Sequence, residues 1–238
     1  MPYEPAHSFI NFPLADASAE GSRVAVLQTA NTPSGPDRPV DYFQLVTQVW
    51  VVHGDGSPAK HLTTLWGASP FGEGDDYEVQ WSPQGATFAT SLAIWHGPAT
   101  GFRTTVVLFD ADRGQETGRL EGMSLAGSAS WSPDGSRLLV TTQECQRVCS
   151  VDVVSGQLHP VAALPAPRPL LERPGSPRIV GHADDDELLV LLRRGNTMTL
   201  HRTDGDGNDI GALMRWTGSE YTGPNVCRMP PGYWASVS

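Results

Sequence analysis

A five-residue string occurs twice in this chain, fifty residues apart: Trp81-Ser82-Pro83-Gln84-Gly85 and Trp131-Ser132-Pro133-Asp134-Gly135. Each copy stands between two strand-forming runs, within "EVQWSPQGATFATSL" and "SASWSPDGSRLLVTT". A period of this size marks a fold assembled from repeated supersecondary units, and it limits every assignment made afterwards. Fifty residues further on, "IVGHADDDELLVLLR" keeps the order of apolar strand, acidic turn and apolar strand, with Gly181 at the tryptophan position. Upstream, "ADASAEGSRVAVLQT" puts Ala17 at that position and matches Gly21-Ser22-Arg23 to Gly135-Ser136-Arg137.

The segment after each copy recurs as well. A β-branched or aliphatic run ends in a tight turn in "VTQVWVVHGDGS", "TTVVLFDADRGQ", "VCSVDVVSGQ" and "TMTLHRTDGDGN", and a short strand closes each unit. Each unit is therefore four strands, A to D, in about 50 residues, the size of one propeller blade. Helical periodicity of any length is absent. The turn chemistry fits: proline sets φ for the first central position, aspartate bonds a nearby amide, and glycine supplies the positive φ that ends the turn. Trp81 and Trp131 are expected to pack between neighbouring sheets, where burying an indole is worth a few kcal/mol.

On these turns the sequence resembles the TolB-like and WD-repeat-like β-propellers, whose blades carry a Trp-Ser-Pro-Asp-Gly turn between their first two strands. The match is close at Trp81 to Gly85 and Trp131 to Gly135, degenerate at Ala17 to Gly21 and Gly181 to Asp185, and extends over roughly Phe9 to Glu220. The resemblance implies a propeller, often one that binds proteins, and brings no catalytic residue with it. The expected fold is all-β: one domain, 1–238, forming a small propeller of four-stranded antiparallel blades near 9–66, 76–122, 126–164 and 176–217. The tail, 218–238, is then a closing segment, or the start of a fifth blade. Closure removes exposed sheet edges, so the two ends of the chain are expected to meet.

Sixteen Lys and Arg against 26 Asp and Glu give a formal charge of -10, whose field repels polyanions and argues against nucleic acid. The start, "MPYEPAHSFINF", lacks the basic and long apolar regions of a secretory leader, and no apolar run is long enough for a membrane helix. The default expectation is cytoplasmic, or secreted or periplasmic if a leader has been removed. Three cysteines, Cys145, Cys149 and Cys227, make no disulfide framework, although Cys145 and Cys149 are close enough to face each other across a hairpin.

Propeller geometry puts the A-B and C-D turns on one face and the B-C and D-A connections on the other, where ligands usually enter. The segments "LWGASPFGEGDD" and "WHGPATGFR" belong to the second face and bring Trp66, Trp95 and His96 near Glu73, Asp75 and Asp76. Aromatic rings beside carboxylates suit a cation, a sugar or a basic peptide, while loop packing and solvated acids are the plainer reading. Asp204, Asp206 and Asn208 have the alternating spacing of an oxygen-ligand calcium loop. Asp209 and Arg215 stand where that loop needs Gly and Glu, and the repeat explains the segment as the fourth C-D turn.

No nucleophile elbow, zinc-binding helix, phosphate loop or Cys-x-x-Cys pair occurs, so no cofactor is expected and no catalytic residue stands out. The leading functional expectation is a noncatalytic scaffold that binds a protein partner on the B-C/D-A face. The alternative is a small-molecule or carbohydrate site at the channel mouth, with lyase- or hydrolase-type catalysis open to it because the fold alone excludes neither.

Overall fold

The computed structural model describes residues 14–32, 44–69, 79–127, 129–142, 147–165, 177–206 and 208–217. These form four antiparallel sheets in chain order. The first holds β1 (Leu14–Ala17), β2 (Arg23–Thr32), β3 (Gln44–His53) and β4 (Lys60–Trp66), paired in sequence. The second holds β5 (Ala68–Ser69), β6 (Val79–Trp81), β7 (Thr87–Trp95), β8 (Phe102–Asp110) and β9 (Gln115–Glu121). Here β5 and β6 lie along the same edge of β7, Ala68 opposite Ile94 and Trp81 opposite Phe88, so together they fill one strand position. The third holds β10 (Met123–Leu125), β11 (Arg137–Thr142), β12 (Arg147–Asp152) and β13 (Leu158–Pro165), with Trp131 bridged to Leu138 further along the edge of β11. The fourth holds β14 (Pro177–Asp184), β15 (Glu187–Arg194), β16 (Thr197–Asp204) and β17 (Asp209–Thr217).

Hydrophobic clusters between consecutive sheets hold the stack together. In β7, Phe88, Leu92 and Ile94 join Leu27, Val49 and Val51 of the first sheet, while Ala89 on the opposite face joins Trp131, Leu138 and Val140 of the third. The third sheet repeats the division, sending Leu139 and Val148 to Ile179, Leu188 and Val190 of the fourth. Side chains alternate across a strand, so a sheet packed on both faces needs apolar residues at successive positions. In keeping with this, β7 is buried without interruption from Phe88 to Ile94, and β11 from Leu138 to Val140. Phe88 and Phe109 stack with centroids 5.0 Å apart, and Trp81 lies 5.1 Å from Phe88.

The repeated turn is closed by its serine. The amides of Arg23, Thr87 and Arg137 donate to the hydroxyls of Ser18, Ser82 and Ser132 at 3.2, 3.4 and 2.9 Å. Gly21, Gly85 and Gly135 end these turns at φ of 69°, 69° and 73°. Asp134 accepts the Ser136 amide at 2.9 Å, the role read from the sequence.

Tryptophan ties the second and third sheets to the sheets before them. The indole N–H of Trp81 donates to the Asp16 carbonyl at 2.8 Å, and that of Trp131 donates to the Gln80 carbonyl at 3.0 Å. The Gln80 side chain adds to the second seam: its amide nitrogen donates to the Gly127 carbonyl and its oxygen accepts the Ser130 amide. Arginine recurs at these seams. Arg23 donates to the Gly85 carbonyl and Arg137 to the Asp185 carbonyl, each in the turn of the following sheet.

The fourth sheet differs from the sequence expectation in register. Alignment without gaps sets Gly181 at the tryptophan position, but the pairing places His182 opposite Leu188, where Trp81 faces Phe88 and Trp131 faces Leu138. A bulge between His182 and Asp184 and a shorter turn produce the shift. Gly181 thereby reaches the Ala129 backbone directly through a parallel bridge, and a Cβ built on it would overlap the Ala129 carbonyl. The segment 218–238, Cys145 and Cys227 lie outside the described residues.

Candidate functional site

The turn between β1 and β2 and its counterparts lie at one end of the strands, with the connections from β3 to β4, β8 to β9, β12 to β13 and β16 to β17. Their hydrogen-bonding groups are largely engaged in the seams just described. In the fourth sheet, Asp204 spends both carboxylate oxygens on its own turn, accepting the amides of Asp206 and Asn208 and the Asn208 side chain. Among the described residues, no group of three or more His, Cys, Asp or Glu side chains is gathered as a metal site.

The opposite end carries the aromatic residues. The first sheet passes to the second through Gly67 alone, at φ of 67°, and the Gly67 carbonyl accepts the Trp95 amide at 2.8 Å. The β-carbon of Trp95 lies 3.1 Å from where a Cβ on residue 67 would stand, a tight contact that adds to the preference for glycine set by the turn. This junction brings the backbones of Trp66 and Trp95 together from separate sheets. Trp66 is 64% exposed and Trp95 37%.

The β7–β8 hairpin completes the arrangement. The His96 amide donates to the Gly101 carbonyl at 2.9 Å, and the Gly101 amide to the Gly97 carbonyl at 2.8 Å, closing the tip. Register then sets Phe102 opposite Trp95, with ring centroids 5.0 Å apart and planes tilted by 57°. Phe102 is 51% exposed, and His96 is exposed beside it. An exposed, mutually supported ring pair is apolar surface of the kind that marks a contact site, and the exposed Trp66 is linked to it through the Gly67–Trp95 backbone bond.

Of the residues expected at this end, Trp66, Trp95 and His96 are gathered by the junction and the hairpin, and Glu73, Asp75 and Asp76 lie outside the described residues. Phe102 was missed. Its signal was the near-symmetric string "WHGPATGF", in which two glycines and a proline stand between two aromatics. Ala68 and Ser69, read as part of the connecting loop, are already strand: they pair with Ile94 and Ala93.

Four sheets packed face to face in succession, the first two seams tied by an inner-edge tryptophan, decide the architecture. The chain is a β-propeller. No family model matches it, and no curated protein does. Among solved structures, an acylaminoacyl peptidase from Pyrococcus horikoshii superposes with a TM-score of 0.50 at 12% identity, over 84% of this chain and 31% of that one. The β-propeller domain of the trilobed protease from Pyrococcus furiosus gives 0.47 at 13% identity, over 85% of this chain and 56% of that one. TolB from Acinetobacter baumannii gives 0.43 at 12% identity, over 82% and 52%. The chain thus spans no more than 56% of the length of these three structures. No helix among the described residues is long and apolar enough to cross a membrane.

Proposed function

We propose that this propeller is a noncatalytic scaffold that holds a protein partner on its B-C/D-A face. Trp66, Trp95 and Phe102 form the apolar anchor, His96 lies at its edge, and Glu73, Asp75 and Asp76 supply flanking negative charge. The chain is taken as one domain, 1–238, with 218–238 completing the ring.

The observation that supports this reading is the Trp95–Phe102 pair, held half-exposed at 5.0 Å by a closed hairpin tip, with the exposed Trp66 adjoining the Gly67 carbonyl that accepts the Trp95 amide. Rings fixed by backbone bonds lose little conformational freedom on binding, and tryptophan is prominent among residues that dominate interface energies. The formal charge of -10 would draw a basic rim toward the same face. Indoles of this kind also accept the apolar faces of sugars, which is the second reading.

The test is partner capture with purified chain as bait, comparing wild type, a Trp66→Ala/Trp95→Ala double variant, and Val154→Ser in the β12–β13 turn at the opposite end. Val154 is 92% exposed, so its replacement should disturb only its own surroundings. The same protein captured by wild type and the Val154 variant, with at least tenfold less by the double variant, is the expected result. Equal capture by all three removes the aromatic face from the reading. Binding of an oligosaccharide that the double variant loses, with no protein captured by any of the three, moves the assignment to the carbohydrate alternative.

A further inference from the structure

The tryptophan position of the fourth blade is held by His182, and its ring lacks what the indoles have. Trp81 and Trp131 each place their single N–H on a carbonyl of the preceding blade. His182 is 8% exposed, and neither ring nitrogen makes a hydrogen bond of ordinary geometry. In place of an indole bond, the inner edges of the third and fourth blades are joined by main-chain hydrogen bonds. There the Ala129 amide donates to the Val180 carbonyl and the His182 amide to the Ala129 carbonyl, both at 3.0 Å.

The charged groups around the ring offer a proton little support. From the third blade, Arg137 of β11 and Asp134 of the preceding turn face it, and on the fourth blade Asp184 lies on its own strand. Asp185, Asp186 and Glu187 come next, in the turn and at the start of β15. Arg137 engages the Asp185 carbonyl and lies 3.4 Å from an Asp186 oxygen, so its positive charge is fixed at this seam. Asp134 accepts from the hydroxyls of Ser132 and Ser136 at 2.6 and 2.7 Å, so its carboxylate is already satisfied. Glu187 is paired with Arg202 at 2.6 Å.

We propose that His182 makes the seam between the third and fourth blades acid-labile, so that proton uptake by its ring releases the fourth blade while the first three stay docked. A neutral imidazole is tolerated there as an apolar filler, whereas an imidazolium would bury a charge beside a fixed guanidinium, with no hydrogen bond of ordinary geometry and only weak support from the Asp184 backbone. Burial first, and then Arg137, hold the ring at a pKa of about 4, against weaker opposition from the Asp184 backbone and the Asp134 carboxylate. A solvated histidine titrates near 6.5. The docked form therefore binds fewer protons than the released form between these values, and docking weakens as the pH falls from 6.5 toward 4. At pH 5 the difference is on the order of thirtyfold in the docking equilibrium.

Hydrogen exchange of the full chain at pH 7.5 and pH 5, corrected for intrinsic exchange rates, tests this. Peptides from 177–191 should lose about thirtyfold in protection at the lower pH, peptides from β3 and β7 should keep theirs, and His182→Phe should abolish the loss. An acid response spread evenly over all blades, or one unchanged in His182→Phe, overturns the proposal. If that variant does not fold, the ring C–H resonances of the wild-type protein decide: titration of His182 near 6.5 overturns the proposal, and titration below 5 supports it.

Discussion

The indole N–H of Trp131 meets the carbonyl of Gln80 at 3.0 Å, across fifty-one residues of sequence and the seam between two blades. Around it, Leu138, Val140 and Ala89 close the apolar side of the ring. Trp131→Phe keeps most of the packing and gives up the bond, for an expected cost of about 1–2 kcal/mol. Trp131→Ala also opens a cavity between two sheets and should cost about 3–5 kcal/mol. Denaturant midpoints of the two variants measure the difference, and equal costs would mean that the bond, rather than the packing, carries the position.

Gly181 has a different kind of necessity. Its φ of 156° disfavours side chains, and a Cβ would meet the Ala129 backbone, which belongs to the other blade and has little room to retreat. Gly211, at φ of 157° with nothing near its Cβ position, is the matched control. Gly211→Ala should cost about 1–3 kcal/mol from conformation alone, and Gly181→Ala should cost about 2 kcal/mol more, from the clash. Thermal unfolding of both variants separates the two contributions.

The Asp134 carboxyl titrates well below the ordinary value of 3.8, at about 2, because the Ser132 hydroxyl, then the Ser136 hydroxyl and amide, bond its ionised form. The folded value lies below the unfolded one, so the carboxylate's contribution is complete above about pH 4 and is lost as the pH falls toward 2. Solvent exposure keeps it under about 1 kcal/mol. Asp134→Asn should lower stability slightly at pH 7 and flatten the stability curve between pH 4 and 2. His182 acts between 4 and 6.5, so denaturation across the full range resolves the two groups.

Removal of the exposed rings should leave the fold intact. Trp66→Ala and Phe102→Ala are each expected to shift stability by no more than about 0.5–1 kcal/mol, since both rings are more than half exposed. The same changes should reduce the binding of an apolar dye such as ANS to the folded protein. A large loss of stability in Phe102→Ala would show that the hairpin tip is held by its ring pair instead of by its backbone bonds.

Part of this architecture was legible in the sequence. Serine, proline and glycine at fixed offsets specify a closed turn by local chemistry alone, and the first blade keeps the serine and the glycine even without a tryptophan. The position of Trp95 and His96 at one end came from blade geometry. Phe102 did not, because its meeting with Trp95 depends on which residue pairs across the hairpin, and the string alone allows neighbouring registers. His182 was hidden for a related reason. A bulge adds a residue to the strand while the turn after it is shorter, so a gap-free alignment keeps step with the chain while the sheet does not. The split of one strand position between β5 and β6 is equally invisible to a pattern search, since Ala68 and Ser69 are too few to show alternation.

The tryptophan bonds have a direction with respect to synthesis. In each, the carbonyl lies in the earlier blade and the indole in the later one, fifty-one residues or more downstream. A ribosome therefore always makes the acceptor before the donor. Each new blade emerges onto a surface that has already been translated, and neither indole must stay unsatisfied while its partner is still to be made.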